Sequence, residues 1–218
     1  MTLLQDTQVI VADDHPITRL AIIRAIDALP GFKVAAGVGS GHELLETLGK
    51  QACDLIVTDF AMQQSEPDED GLRLIARLGR LYNSIPVVVF TMLTNGGVLH
   101  QLCQMGVAGL VGKDEDLAAL EQTCARALGA NRPYLSPGMA ARLAETGELA
   151  VGVRPSVLSL KELEIVRLFA RGTSLTDIAR QLNRSITTVS TQKRSAMRKL
   201  HVTTNADLIA YAREQGLV

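Results

Sequence analysis

The chain of 218 residues is long enough for two small domains, and its 47% of apolar residues can supply buried cores. We expect no transmembrane helix, since no apolar run of about 18 residues occurs, and no secretory signal, since Met1–Asp6 lacks a basic region followed by an apolar one. The net charge of −1 hides an asymmetry: residues 1–128 hold 9 Lys and Arg against 16 Asp and Glu, whereas residues 154–218 hold 11 against 5. We therefore expect two domains with different partners, of which the basic one binds a polyanion.

The three cysteines, Cys53, Cys103 and Cys124, lie far apart in apolar segments. Their spacing is not that of a metal site. We therefore expect reduced, mostly buried thiols in a cytoplasmic protein.

Strands and helices alternate five times along residues 8–128. This alternation predicts a parallel sheet with helices on both faces and right-handed crossovers, an α/β domain of the flavodoxin-like class with strand order 2-1-3-4-5. The predicted strands are 8–12, 33–38, 55–57, 86–90 and 107–111, and the predicted helices are 15–28, 42–48, 71–81, 95–105 and 114–128.

The remaining chain changes character. Residues 129–155 contain prolines and glycines without a further strand pattern, and we expect a linker with one helix near 139–149. Residues 156–218 predict an all-α domain of four helices. The expected helix starts are a capping box at Ser159–Glu162, Ser174, Ser185, and Thr203 or Thr204.

Polar side chains follow four of the five predicted strands: Asp13 and Asp14, then Asp59, then Thr91, and finally Lys113. Each has an ordinary alternative as a turn former or helix cap, but the ends of parallel strands meet at one edge of a sheet. Three carboxylates held together repel each other, and a hard cation with oxygen ligands, Mg²⁺, relieves that repulsion. One carboxylate could then attack phosphorus, with the ammonium and the hydroxyl bound to phosphoryl oxygens.

Two helices of the basic domain are joined by Asn183-Arg184, which predicts a helix-turn-helix whose second helix enters the major groove of double-stranded DNA. The alternative is an ordinary amphipathic helix with a solvated basic face. The candidate DNA contacts are Thr187, Thr188, Ser190, Thr191, Gln192, Lys193, Arg194, Arg198 and Lys199.

With these five strand-end positions, residues 8–128 resemble the receiver domain of two-component response regulators. The resemblance implies that Asp59 is the phospho-acceptor and that Asp14 is the main carboxylate ligand of Mg²⁺. It further implies that Asp13 acts through metal-bound water and that the backbone carbonyl of Ala61 is a third ligand. The phosphoryl donor would be a phosphohistidine on a sensor histidine kinase or a phosphotransfer protein.

Three features depart from the receiver pattern. Met62 is followed by Gln63, where receivers usually have proline. The loop from Asp59 to Gly71 is longer than usual and contains the acidic run 66–70. Leu110 occupies the switch position, three residues before the pocket lysine, where receivers usually have Tyr or Phe, so the resemblance does not imply the usual coupling of Thr91 to an aromatic side chain.

The basic domain resembles LuxR-type DNA-binding domains in the stretches Leu158–Phe169, Ser174–Ala179 and Thr188–Ser190. Together with the receiver, this identifies the chain as a member of the NarL/FixJ class of response regulators. Residues 183–186 and 195–197 most resemble the RcsB subgroup of capsule regulators. The expected domains are a receiver at 1–128, a linker at 129–155 and a DNA-binding domain at 156–218.

The expected function is a cytoplasmic, phosphorylation-dependent transcription regulator that binds promoter DNA as a homodimer and is not an enzyme. A heterodimer with an auxiliary regulator and a contact with RNA polymerase are further partners that the class allows. One alternative is a DNA-binding regulator controlled by a partner protein rather than by phosphate. A remote alternative is an Asp-dependent Mg²⁺ phosphatase, which normally has its nucleophile in an Asp-x-Asp pattern on the first strand.

Overall fold

The computed structural model describes residues 6–62, 69, 71–129, 133–148 and 158–218. The chain divides into two compact units, Met1–Thr91 with His100–Ala141 and Met92–Leu99 with Arg142–Val218. Within the described residues, no helix combines the length and the apolar character that a bilayer span requires.

The first unit contains a six-stranded parallel sheet with the order β2-β1-β3-β4-β5-β6. The predicted α/β fold and the predicted order of the first five strands are confirmed. The strands are β1 (Thr7–Ala12), β2 (Phe32–Val38), β3 (Leu55–Thr58), β4 (Val87–Thr91), β5 (Gly109–Gly112) and β6 (Tyr134–Leu135).

Helices follow the first five strands, at the places where apolar residues recur at helical spacing. The alternation predicted from the sequence is thus confirmed, with shifts of one to three residues at most helix ends. The helices are α1 (Pro16–Asp27), α2 (Gly41–Leu48), α3 (Gly71–Leu81), α4 (Gly96–Gln104) and α5 (Leu117–Ala127).

The central strands are buried on both faces, which explains their continuous apolar runs. Val9 and Val11 of β1 belong to a core cluster with residues of α1 and α5, whereas Ile10 between them is fully buried outside that cluster. Cys124 lies in the same cluster, and burial raises the pKa of its thiol to about 12. All three cysteines are free, with Cys124 buried and the other two half-buried.

The sixth strand corrects the sequence prediction, which ended the sheet after five strands. β6 has two residues, too few for a recognisable strand pattern, and it forms by pairing with β5 at Gly109–Tyr134 and Leu110–Leu135. The Arg126 guanidinium lies over the Tyr134 ring, 5.1 Å from its centre. The linker helix predicted near 139–149 is present as α6 (Pro137–Glu148).

The second unit contains the four predicted helices of the basic domain. Side chains at the expected positions cap them: Ser159 with Glu162 in a complete capping box, Ser174, Ser185, and Thr204. Since a cap satisfies N–H groups that lack a partner within the helix, these residues determine where each helix starts. The helices are α7 (Leu160–Ala170), α8 (Leu175–Gln181), α9 (Ile186–Lys199) and α10 (Asn205–Glu214).

Candidate functional sites

The five strand-end residues Asp13, Asp14, Asp59, Thr91 and Lys113, here called the acidic pocket, come from four parallel strands. Lys113 Nζ lies 2.8 Å from Asp13 Oδ2 and 2.6 Å from Asp59 Oδ2, so one ammonium joins the ends of β1, β3 and β5. The expectation that these charged groups meet at one sheet edge is thereby met for Asp13, Asp59 and Lys113.

Asp59 directly follows β3 and is 6% exposed. Its N–H donates to the Ala12 carbonyl (2.8 Å), and its Oδ1 accepts from the N–H groups of Phe60 (2.6 Å) and Ala61 (3.3 Å). Burial raises the pKa of Asp59 to about 6, although the positive charge of Lys113 favours the ionised form. The carboxylate is therefore held in one orientation, with Oδ1 against backbone N–H groups and Oδ2 against the lysine.

The two aspartates after β1 lie next to Asp59. Oxygen atoms of Asp13, Asp14 and Asp59 and a ring nitrogen of His15 all lie within 4.8 Å of one another. His15 Nδ1 lies 2.8 Å from Asp14 Oδ1, and the His15 N–H donates to Asp13 Oδ1 at 2.8 Å. The sequence prediction did not include His15, whose only signal was its position directly after the two aspartates. Three convergent carboxylates form a donor set that fits a hard divalent cation.

Thr91 ends β4 and is buried, and its carbonyl accepts a hydrogen bond from the Lys113 N–H at 2.9 Å. Leu110, at the switch position, is fully buried in β5. It pairs with Val89 on one side and Leu135 on the other, and its carbonyl accepts from the Ser136 N–H. The roles assigned to Thr91, Leu110 and the Ala61 carbonyl remain predictions.

The long loop after Asp59 lies largely outside the described residues: Gln63 and all of the acidic run except Glu69 fall there. The Glu69 carboxylate is buried and is bound by neighbouring helices, at 2.8 Å from Arg77 Nη1 and 3.1 Å from His42 Nδ1. This member of the acidic run therefore anchors the end of the loop to α2 and α3.

The second candidate site is α9, whose apolar side packs on α7 and α8 through a cluster that includes Ile165, Ile178 and Val189. Asn183 in the preceding turn has φ of 50°, a left-handed conformation that asparagine tolerates better than most residues. Five of the predicted DNA-contact residues are exposed on α9: Thr187, Thr188, Thr191, Arg194 and Arg198.

The other predicted contact residues are partly buried, and three of them have partners inside the domain. Lys199 Nζ lies 2.6 Å from Glu162 Oε2, and Gln192 Oε1 accepts from Arg184 Nη1 at 3.2 Å. Lys193 Nζ lies 3.8 Å from the centre of the Phe169 ring, and burial lowers the pKa of this lysine. Ser190 is also partly buried.

Glu162 links the start of α7 to the end of α9. Burial of its carboxyl opposes ionisation, but hydrogen bonds from Lys199, Ser159 and Ser195 outweigh burial and lower the pKa of Glu162 to about 2. The carboxylate also accepts from the Ser159 N–H at 2.8 Å. One carboxylate thus caps α7 and binds the last turn of α9, the helix predicted to enter the major groove.

Glu162→Gln is expected to lower the free energy of unfolding of the second unit by about 1–3 kcal/mol at neutral pH, because it removes a charged partner of Lys199. The lowered pKa means that the carboxylate stabilises the fold above pH 4.5 and loses this contribution as pH falls towards about 2. Urea titrations at several pH values, with amide exchange in α7 and α9 as the readout, measure the free energy of unfolding. The values for the variant and the wild type should therefore converge at low pH. Asp177→Asn, which changes an exposed cap carboxylate on α8, should cost less.

The chain has a parallel α/β domain with an acidic pocket at its strand ends, followed by a helix-turn-helix domain. This domain organisation is that of a signal-receiving transcription regulator. The family model of the response regulator receiver domain matches residues 9–125, and that of the bacterial regulatory proteins of the luxR family matches residues 156–212. The chain belongs to the response regulators that combine a receiver with a LuxR-type DNA-binding domain. The predicted class, a DNA-binding transcription regulator with a receiver domain, is confirmed.

Among its relatives is the transcriptional regulatory protein RcsB of Escherichia coli, which is 34% identical over 208 residues, covering 95% of this chain and 94% of RcsB. A structure of the Salmonella typhimurium RcsB response regulator has a TM-score of 0.78 at 32% identity, covering 97% of this chain and 99% of that one. RcsB from Salmonella enterica serovar Typhimurium, bound to promoter DNA in the presence of the phosphomimetic BeF3−, has a TM-score of 0.80 at 31% identity, with 95% and 98% covered. The predicted resemblance to the RcsB subgroup is thus confirmed.

Proposed function

We propose that the chain is a phosphorylation-dependent transcription regulator in which Asp59 accepts a phosphoryl group. The observation that carries this proposal is the ammonium of Lys113, which lies 2.6 Å from Asp59 Oδ2, while Oδ1 is held by backbone N–H groups. A buried, oriented carboxylate next to a fixed ammonium group is suited to attack a phosphorus atom, and the ammonium group is suited to bind the oxygens of the phosphoryl group that is then attached.

In the proposed transfer, an Asp59 carboxylate oxygen attacks the phosphorus of a phosphohistidine. The new P–O bond forms as the P–N bond to the imidazole breaks, and the ring nitrogen of the donor takes up a proton. Lys113 binds the phosphoryl oxygens and compensates their added charge, and the Thr91 hydroxyl donates a hydrogen bond to one of them. The donor is a sensor histidine kinase or a phosphotransfer protein.

We infer that the acidic pocket holds Mg²⁺ through Asp14, Asp59 and the Ala61 carbonyl, with Asp13 acting through a bound water. When bound, the cation neutralises charge that develops on the phosphoryl oxygens. Imidazole nitrogen is a poorer ligand for Mg²⁺ than oxygen. His15 is therefore assigned to the orientation of the Asp14 carboxylate, which its ring nitrogen contacts.

Asp14→Asn is expected to weaken Mg²⁺ binding strongly, because the cation loses a charged oxygen ligand. Saturating Mg²⁺ at a hundred times Kd should stabilise the wild type by about 2.7 kcal/mol, and the variant by less than about 1 kcal/mol at the same concentration. Thermal unfolding at increasing Mg²⁺ concentrations measures both values. A variant that is stabilised as much as the wild type would count against Asp14 as a ligand.

We further propose that α9 binds promoter DNA in the major groove. Its N-terminal hydroxyl side chains would face base edges, and Arg194 and Arg198 would bind phosphates. One such domain has a small footprint, so we expect a homodimer on two half-sites, formed when phosphorylation shifts the equilibrium between conformations. Further proposed partners are an auxiliary regulator, with which the chain would form a heterodimer, and RNA polymerase. Since DNA in bacteria is cytoplasmic, we propose that the protein acts in the cytoplasm. We further propose that it is a regulator and not an enzyme.

Footprinting of genomic DNA with and without acetyl phosphate tests this function. Sites protected only after phosphorylation, together with a shift from monomer to dimer in sedimentation, are the expected result.

The fully buried leucine at the switch position, Leu110, favours one second candidate, a regulator controlled by a partner protein. Equal DNA affinity with and without the phosphodonor would support that candidate and contradict the phosphorylation switch. We propose the domain limits 1–128, 129–155 and 156–218 that the sequence predicts, with β6 of the linker segment added to the sheet of the receiver.

A further inference from the structure

Glu115 lies two residues after Lys113 and has no part in the phosphoryl transfer described above. Its Oε1 accepts hydrogen bonds from the Gly112 N–H (3.0 Å) and the Ser136 hydroxyl (2.5 Å). Its Oε2 accepts from the Gly138 N–H at 2.9 Å. One carboxylate therefore joins the loop that follows β5 to the first turn of α6.

The same loop determines the position of the pocket lysine. The Glu115 N–H donates to the Gly112 carbonyl at 3.1 Å, so these two residues are bound to each other in both directions. Between them, the Lys113 N–H donates to the Thr91 carbonyl at 2.9 Å. A displacement of the Lys113 backbone would therefore be transmitted to the Glu115 carboxylate.

The start of α6 is suited to receive this carboxylate. Ser136 is fully buried, and Pro137 opens a helix of 12 residues, whose first N–H groups lack partners within the helix. A Cβ atom on Gly138 would lie 2.8 Å from Glu115 Cδ and 2.9 Å from Oε1. The carboxylate thus occupies space that exists only because residue 138 has no side chain.

We propose that Glu115 is a positioning residue that couples the acidic pocket to α6, the helix after which the chain continues to the DNA-binding domain. The proposal rests on the proposed function, since it requires that Lys113 binds a phosphoryl group. Coupling between two sites is reciprocal. Occupancy of the pocket therefore changes the protection of the first turn of α6, and removal of the Glu115 contacts changes the affinity of the pocket for a phosphoryl analogue.

The test uses the full chain with Mg²⁺ and BeF3− as the phosphoryl analogue, and it follows hydrogen exchange of the Gly138 amide, which is itself a donor to Glu115. In the wild type, BeF3− should change this exchange rate by about fivefold or more. In Glu115→Gln, which keeps the shape of the side chain but not both acceptor oxygens, the response should be lost and the BeF3− affinity should change. Asp116→Asn is the matched control, because this neighbouring carboxylate makes no cap hydrogen bond, and it should respond like the wild type.

Gly138→Ala separates the coupling from the stability of the helix. Alanine favours the helix by about 1 kcal/mol relative to glycine, yet its Cβ would displace the Glu115 carboxylate. We expect this variant to lose the response although α6 remains folded, and adding Glu115→Gln should have little further effect.

The outcomes distinguish the two proposals. If the wild type does not bind BeF3−, the proposed phosphoryl pocket is wrong, and the role of Glu115 is wrong with it. If the wild type binds BeF3− but the amide of residue 138 does not respond, or if Glu115→Gln and Gly138→Ala keep the wild-type response at this amide, only the role of Glu115 is overturned.

Discussion

Asp59→Asn should reduce labelling by acetyl phosphate to background, below about one-hundredth of the wild-type level, because the amide cannot act as the attacking oxygen nucleophile. The variant should fold, because burial already raises the pKa of Asp59 and a neutral side chain of the same shape suits that site. Radiolabelled or mass-detected phosphate on the intact chain is the measurement, with Mg²⁺ present throughout.

Asp54→Asn is the matched control for this experiment. Asp54 is an exposed aspartate that precedes β3 and whose Oδ2 accepts from the Gln8 N–H, whereas Asp59 follows the strand. This control should be labelled like the wild type, and the label should be released by hydroxylamine, as expected of an acyl phosphate. Undiminished labelling of Asp59→Asn would show that another residue is the acceptor.

Arg194→Ala combined with Arg198→Ala should weaken promoter binding at least about tenfold at moderate salt, because two exposed guanidinium groups of α9 would no longer bind phosphates. The dependence of log K on log salt concentration should become less steep by about 3.6 for the homodimer, which loses two contacts in each protomer, or about 0.9 for each lost contact. Fluorescence anisotropy with the phosphorylated chain and a footprinted promoter fragment, at several salt concentrations, measures both quantities.

Two comparisons make this result specific. Arg24→Ala with Lys50→Ala removes the same charge from exposed positions of the first unit and should change neither affinity nor slope. Lys193→Ala removes a predicted DNA contact whose ammonium lies over the Phe169 ring, so it should cost stability and leave the salt slope unchanged. An unchanged slope in the double arginine variant would mean that α9 does not contact the phosphates through these residues.

The contrast between Arg194 and Lys193 shows what a sequence can predict about a binding surface. Helical periodicity separates Val189, which is buried in the apolar cluster, from the exposed Arg194 on the same helix, since that pattern depends only on the rotation per residue. Periodicity does not distinguish a lysine or arginine whose charge is exposed from one whose charged group contacts another helix of the same domain. Lys193 and Lys199 reach Phe169 and Glu162 on α7, about 24 and 37 residues earlier in the chain, and no local pattern encodes such a contact.

The same distinction applies to the fold and the acidic pocket as a whole. The sequence by itself determined the alternation of strands and helices, the helix caps and the pocket residues at the strand ends. It could do so because turn chemistry, caps and apolar spacing act within a few residues, and because parallel strands bring their ends to one edge. Only the tertiary structure decided that two residues form β6, that His15 contacts Asp14, and that Glu115 joins the Lys113 loop to α6. Each of these depends on where distant backbone segments and side-chain atoms come to lie in space once the chain has folded.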